Sequence, residues 1–139
     1  MRPIEVFLSH ASRDGDAARQ IADSLRAHHI PVFFAPQDIV GAQQWQDEIL
    51  HALRRCDWFI VLLSPVAVQS MWVKREVSFA LQQLRLERRI VPLLYQDCDL
   101  ATFGWLDLFQ RIDLRPNVDE GLSELLRIWG LSPRADASS

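Results

Sequence analysis

D-W-F-I-V-L-L-S, Asp57 to Ser64, carries six apolar residues in succession with no alternation. A strand with one wet face alternates apolar and polar side chains, whereas a strand apolar on both faces belongs inside a parallel sheet with helices covering each side. The stretch therefore reads as the middle strand of an α/β domain, and the segments around it fit. Upstream, Ile4 to Ser9 is a short buried strand that stops at Ser9-His10-Ala11-Ser12. Arg13 to His29 follows as a helix, with Ala17, Ala18, Ile21, Ala22 and Leu25 at helical spacing and Ser12 or Asp14 as its cap. Pro31 to Phe34 is a second brief strand, and Ala35 to Gln44 a loop holding Pro36, Asp38 and Gly41. Trp45 to Arg55 is a helix with Trp45, Ile49, Leu50 and Leu53 on its core side.

Downstream, Ser70 caps a helix that runs to about Leu86, with an apolar stripe of Val73, Val77, Ala80, Leu81 and Leu84. Arg89 to Tyr95 is a fourth strand. Asp97 to Leu108 is irregular, with Trp105 plugging the sheet end, and Gln110 to Leu114 is a fifth strand. Asp119 to Trp129 forms the last helix, which Gly130 terminates. Strands and helices alternating at these lengths predict a doubly wound, flavodoxin-like sheet of five mostly parallel strands flanked by helices. Ligands in such sheets bind beyond the carboxyl ends of the strands, where the strand order reverses. Here those ends are Ser9-His10-Ala11, Phe34 with its following loop, Ser64-Pro65 and Tyr95-Gln96.

A chain of 139 residues is enough for one core. The formal charge of −3 argues against nucleic-acid binding through bulk electrostatics. No apolar run reaches the roughly eighteen residues of a membrane span, and the first residues lack the layout of a signal peptide. Cys56 and Cys98 sit in no metal-ligand or disulfide-scaffold spacing. These features predict a cytoplasmic protein that engages neither nucleic acid nor membrane directly.

The stretch with most chemical content is S-M-W-V-K-R-E, Ser70 to Glu76. Positions four apart on a helix lie one above the other, so Trp72 and Glu76 present an aromatic plate and a carboxylate side by side on the shoulder of the apolar stripe. The wheel predicts a half-buried carboxylate near the cleft. Other uses of the architecture fail on residues. A phosphoacceptor receiver needs acids where Ser9-His10 and Ser64-Pro65 stand, and S-H-A-S-R-D-G has its glycine too far along to cradle a phosphate. No G-x-S-x-G elbow occurs, and His28, His29 and His51 read as solvated helix positions.

A single carboxylate suffices where the leaving group departs without needing a proton, unlike an ordinary glycoside. The nicotinamide of NAD+ is such a group, cationic before cleavage and neutral after it. A fixed anion about 4 Å from an oxocarbenium-like ribose, at an effective dielectric near 20, stabilises it by on the order of 4 kcal/mol, roughly a thousandfold in rate.

Four stretches resemble the Toll/interleukin-1 receptor (TIR) domain family in its bacterial form. They are V-F-L-S-H-A-S-R-D from Val6 to Asp14, D-I-V-G-A-Q-Q-W from Asp38 to Trp45, I-V-L-L-S-P from Ile60 to Pro65, and S-M-W-V-K-R-E-V from Ser70 to Val77. Each is weak alone, and four in order at sensible spacing are strong. The resemblance implies a TIR domain over residues 1–131, with 132–139 a disordered tail or truncated linker, and, as in many bacterial and plant members, hydrolysis or cyclisation of NAD+. It implies Glu76 as the catalytic residue, four after Trp72, and Trp72, Ser9, His10, Ala11, Phe34, Asp38 and Ser64 as substrate-binding residues. NAD+ is the substrate, and no cofactor or metal is implied. The Ala35–Gln44 loop corresponds to the family's BB loop, which implies head-to-tail self-association with other TIR domains, and a fused or separate sensor domain as a further partner.

The residues depart from the family at three places. Val73 stands where many members carry Cys, a loop glycine often falls where Ala42 stands, and Phe109-Gln110 is the nearest counterpart of the Phe-Trp pair of animal adaptors. The last departure favours the bacterial enzyme type, in antiphage defence or immune signalling. The competing function is a non-catalytic TIR–TIR interaction module, a scaffold, adaptor or virulence-type mimic, working through the BB loop and the helix from Trp45.

Overall fold

A computed structural model describes residues 2–34, 42–101 and 109–131; for residues 34, 42–46 and 84 the description covers the backbone alone. The elements in chain order are β1 (Val6–Ser9), α1 (Gly15–Ala27), β2 (Val32–Phe34), α2 (Ala42–Arg55), β3 (Trp58–Leu63), α3 (Met71–Leu81), β4 (Ile90–Leu94), β5 (Ile112–Asp113) and α4 (Val118–Ile128). Short 3-10 turns occupy Ser12–Asp14, Ala67–Gln69 and Leu84–Leu86. The strands form one sheet in the order β2-β1-β3-β4-β5, every pairing parallel. This is the doubly wound, flavodoxin-like α/β fold.

β3 sits at the centre because both its faces are apolar. Phe59, Val61 and Leu63 enter the core shared with α2 and α3, and Ile60 and Leu62 the core shared with α1 and α4. All five are at most 1% exposed, each contributing about 1.5–3 kcal/mol of burial. In register across three strands, Phe33, Phe7 and Phe59 stack with successive ring centroids 5.3 Å apart. This row stiffens β1 against both neighbours. Pro92 is tolerated in β4 because β5 pairs only with Leu93 and Leu94, leaving that edge unpaired beside the proline.

Helix ends follow local chemistry. Ser70 caps α3, its hydroxyl accepting from the Val73 amide at 3.3 Å, and the Asn117 side chain caps α4 by accepting from the Glu120 amide at 3.1 Å. Gly130 takes φ +72° after α4, with the Leu131 amide donating to the Leu126 carbonyl and the Gly130 amide to Arg127. That is a Schellman motif with the expected glycine. α1 closes in the same way, with the Ile30 amide on Leu25 and the His29 amide on Arg26, yet its left-handed residue is His29, at φ +62°.

Several expectations are corrected. α3 ends at Leu81 rather than near Leu86, because the Gln82 and Gln83 amides bond three residues back to Phe79 and Ala80 and tighten the last turn. Leu81, placed on the apolar stripe, is consequently 40% exposed, and Leu86 in the following turn is buried instead. Arg85 in that turn donates to the carbonyls of Leu53 and Cys56 at the end of α2. β5 is two residues long rather than five. His28 is buried, with Nδ1 2.9 Å from the Ser24 carbonyl oxygen, while His29 and His51 are exposed. The side chain of Trp45, together with Trp105 and the tail 132–139, lies outside the described residues.

Candidate active site

Strand order reverses between β1 and β3, since the connection through α1 leads from β1 to β2 on one side and α2 returns the chain to β3 on the other. The carboxyl ends of β1 and β3 flank the resulting gap, and their polar residues are Ser9 and Ser64. α3 begins just beyond β3, after the Ala67–Gln69 turn, and directs Val73, Val77 and Ala80 into the core. Glu76 flanks these positions on the helix and is drawn inward with them. It is 1% exposed rather than half-buried, as its place on the shoulder of the wheel had predicted.

The Ser9 hydroxyl donates to Glu76 Oε1 at 2.7 Å, inside the protein. Glu76 Oε2 is buried with no hydrogen-bond partner among the described residues. Burial pushes the carboxyl up to about 8, and the Ser9 hydrogen bond works in the opposite direction. At neutral pH the group is therefore mostly protonated, where a fixed anion had been expected.

Across the gap a second serine meets a second carboxylate. The Ser64 hydroxyl donates to Asp14 Oδ2 and accepts from the Ala67 amide at 3.1 Å. Asp14 thus spends its carboxylate on Ser64 and makes no side-chain cap bond to α1. His10 is 2% exposed, and burial holds its imidazole below the usual range, against a backbone hydrogen bond at Leu8 and the nearby Asp14 charge. Ser9, His10, Ala11 and Ser64 accordingly lie beneath the surface of the site.

The surface itself is a cleft of about 300 Å³ between α2 and α3. Ile49, Leu50 and Leu53 form one wall; Trp72, Arg75, Glu76 and Phe79 form the other. Trp72 is 36% exposed, and the Arg75 guanidinium stands 5.3 Å from its ring centroid. Of the residues expected from sequence, Trp72 and Glu76 reach the cleft and Ser9 supports Glu76 from behind. The Phe34 side chain and Asp38 lie outside the described residues. Sequence reasoning missed Arg75 and Phe79 as cleft residues, although Arg75 adjoins Glu76 in the chain and Phe79 lies one turn beyond Arg75. It also read Asp14 only as a helix cap. Among the described residues no group of three or more His, Cys, Asp or Glu is placed to hold a metal. No helix among them is long and apolar enough to cross a membrane.

A parallel sheet in the order β2-β1-β3-β4-β5 with helices on both faces defines the flavodoxin-like class of α/β domains. Residues 6–126 match the family model of the TIR domain, and the chain belongs to that family. Solved TIR structures share the fold. The TIR domain of the Toll-related receptor TRR-2 from Hydra magnipapillata superposes with a TM-score of 0.66 at 19% identity, covering 78% of this chain and 82% of that one. The TIR domains of the activated Roq1 resistosome, which recognises the effector XopQ, give 0.68 at 14% identity, with 91% and 99% covered. The TIR-STING receptor of C. gigas, solved with 2',3'-cGAMP, gives 0.66 at 25% identity; the match covers 85% of this chain but 39% of that receptor. No protein of curated function matches the sequence.

Proposed function

We propose that this TIR domain is an NAD+ glycohydrolase, or cyclase, that breaks the nicotinamide–ribose bond with Glu76 as its catalytic carboxylate. The observation that carries the reading is the placement of Glu76: a carboxyl buried to 1% exposure at the switch point, on the wall of a cleft it shares with the half-exposed Trp72. Trp72 offers a ring for a flat heteroaromatic to stack on. A cleft of about 300 Å³ matches the nicotinamide-ribose half of a dinucleotide and leaves the adenosine half outside it. In the head-to-tail assembly implied by the family, a second TIR domain walls that outer part through its BB loop.

The protonation of Glu76 suits this chemistry. An arriving pyridinium cation favours the carboxylate, so the proton leaves as substrate enters. The glycosidic bond then breaks, its electron pair departing with neutral nicotinamide, and the carboxylate faces the positive charge that develops on the ribose. Water adds to the ribose carbon and gives its proton to Glu76, whose raised pKa makes it a better base than an ordinary glutamate. When the adenine reaches that carbon first, the product is cyclic. We place this activity in bacterial antiphage defence or immune signalling, with clustering by a sensor domain as its trigger.

One observation favours a second reading. The Ser9–Glu76 hydrogen bond also ties α3 to β1, the role a buried glutamate would have in a non-catalytic TIR–TIR interaction module. Purified protein, free or artificially clustered, incubated with NAD+ separates the two. Release of nicotinamide by the wild type, lost in Glu76→Gln, supports the enzyme. Equal release by the variant, or none from a clustered wild type, removes it and leaves the module.

A further inference from the structure

We propose that Ser9 is a positioning residue for Glu76: its hydroxyl holds Oε1 and so leaves Oε2 as the oxygen that serves the reaction. This rests on the glycohydrolase reading and adds a division of labour within the site. Ser9 is fully buried at the end of β1, so its task is to orient the carboxyl rather than to touch substrate. Its backbone is held in the sheet. Ser9 pairs with Val61 of β3, and Phe7, two residues earlier, lies between Phe33 and Phe59 in the aromatic row. The hydroxyl is therefore presented from a strand paired on both sides, 67 residues distant in sequence, to a helix whose first turn is capped by Ser70.

A carboxyl group that turns freely about its last torsion can offer either oxygen, and one anchored by a 2.7 Å hydrogen bond cannot. The other oxygen has no partner among the described residues. A hydrogen bond donated to a carboxylate also favours its charged form. Ser9 thus opposes the burial that keeps Glu76 protonated, without abolishing its effect. Anchoring and ionisation come from one hydroxyl.

The test measures nicotinamide release by clustered protein against pH, beside the Glu76 carboxyl titration followed by carbon-detected NMR. Wild type, Ser9→Ala, Ser9→Cys and Ser9→Thr are compared. Cysteine keeps the volume with a weak donor, which guards against loss of folding in the alanine variant. The midpoints of both curves are expected to rise by about one to two pH units in the alanine and cysteine variants. Release at pH 7 then falls by about ten- to a hundredfold and the gap narrows above pH 9. Threonine, retaining the hydroxyl, restores the wild-type midpoint. A wild type that turns over while both variants keep its midpoints overturns the role of Ser9 and leaves the glycohydrolase intact. A clustered wild type that releases no nicotinamide overturns the glycohydrolase reading itself, and this inference with it.

Discussion

Two serine–carboxylate pairs stand on either side of the gap between β1 and β3, and they differ in what is left over. Ser64 both donates to Asp14 and accepts from the Ala67 amide, and no oxygen of that pair is buried without a partner. Ser9 gives Glu76 one hydrogen bond, and the carboxyl's second oxygen is buried with no partner among the described residues. Leaving such a group unsatisfied costs about 1–3 kcal/mol. A pair that leaves no buried oxygen unmatched is a fastening between turns. A pair with one oxygen unmatched holds free energy in reserve, and under the glycohydrolase reading proposed above a cationic substrate is what releases it. The largest effect expected from breaking this asymmetry is on turnover. Glu76→Gln should lower nicotinamide release by roughly a thousandfold. Asp14→Asn should leave the pH midpoint of release where it is, as a continuous nicotinamide assay at saturating NAD+ would read.

The next effect is on stability and has a definite sign. The folded protein holds the Glu76 proton up to about pH 8, whereas the unfolded chain releases it near 4.5. Between those values the native state binds more protons than the unfolded one, so wild-type stability falls as pH rises through the window. Glu76→Gln has no such proton to lose. Urea melts of both proteins should therefore diverge from pH 5 to pH 8.5 in favour of the variant, by on the order of 4 kcal/mol at the upper end. Parallel curves would mean that the carboxyl is not held in its neutral form, and the asymmetry between the two pairs would disappear.

A smaller effect belongs to the fastening. Ser64→Ala strands the Asp14 carboxylate and the Ala67 amide together, and should cost about 1–3 kcal/mol in the same urea melts. It should not move the pH midpoint of nicotinamide release, because Ser64 makes no hydrogen bond to Glu76. A shift of that midpoint would merge the two pairs into one network.

What the sequence could reveal of this arrangement was limited by range. The central strand, the Ser70 cap and the Gly130 stop are local patterns, each legible because backbone geometry and a few adjacent side chains decide them. The parallel, doubly wound arrangement follows from the alternation of such elements through general rules of handedness and packing. Trp72 and Glu76 were legible as neighbours on one helix. How deep Glu76 lies was not, because a helical wheel gives the direction of a side chain and not the depth to which the helix sits on the sheet. Ser9 lies 67 residues from Glu76 and Ser64 lies 50 from Asp14, separations at which no periodicity links a donor to its acceptor. Asp14 illustrates the competition directly: a residue type that caps helices was drawn away by a buried hydroxyl.

The smallest effect expected is a control that separates stability from chemistry. His29 occupies a left-handed position, φ +62°, at the end of α1, where the Ile30 and His29 amides close the same motif that Gly130 completes after α4. A side chain with a Cβ pays about 1–2 kcal/mol there, and glycine avoids it at some loss of unfolded-state entropy. His29→Gly should therefore raise stability by about 1 kcal/mol, seen as a higher urea midpoint with an unchanged slope. His29 is exposed and lies at the amino end of the connection to β2, away from both serine–carboxylate pairs. The variant should thus leave nicotinamide release and its pH midpoint as they are. If a purely conformational gain in stability also shifted that midpoint, the shifts expected for Ser9 variants could no longer be assigned to the Glu76 carboxyl, so His29→Gly fixes the baseline against which Ser9→Ala and Ser64→Ala are read.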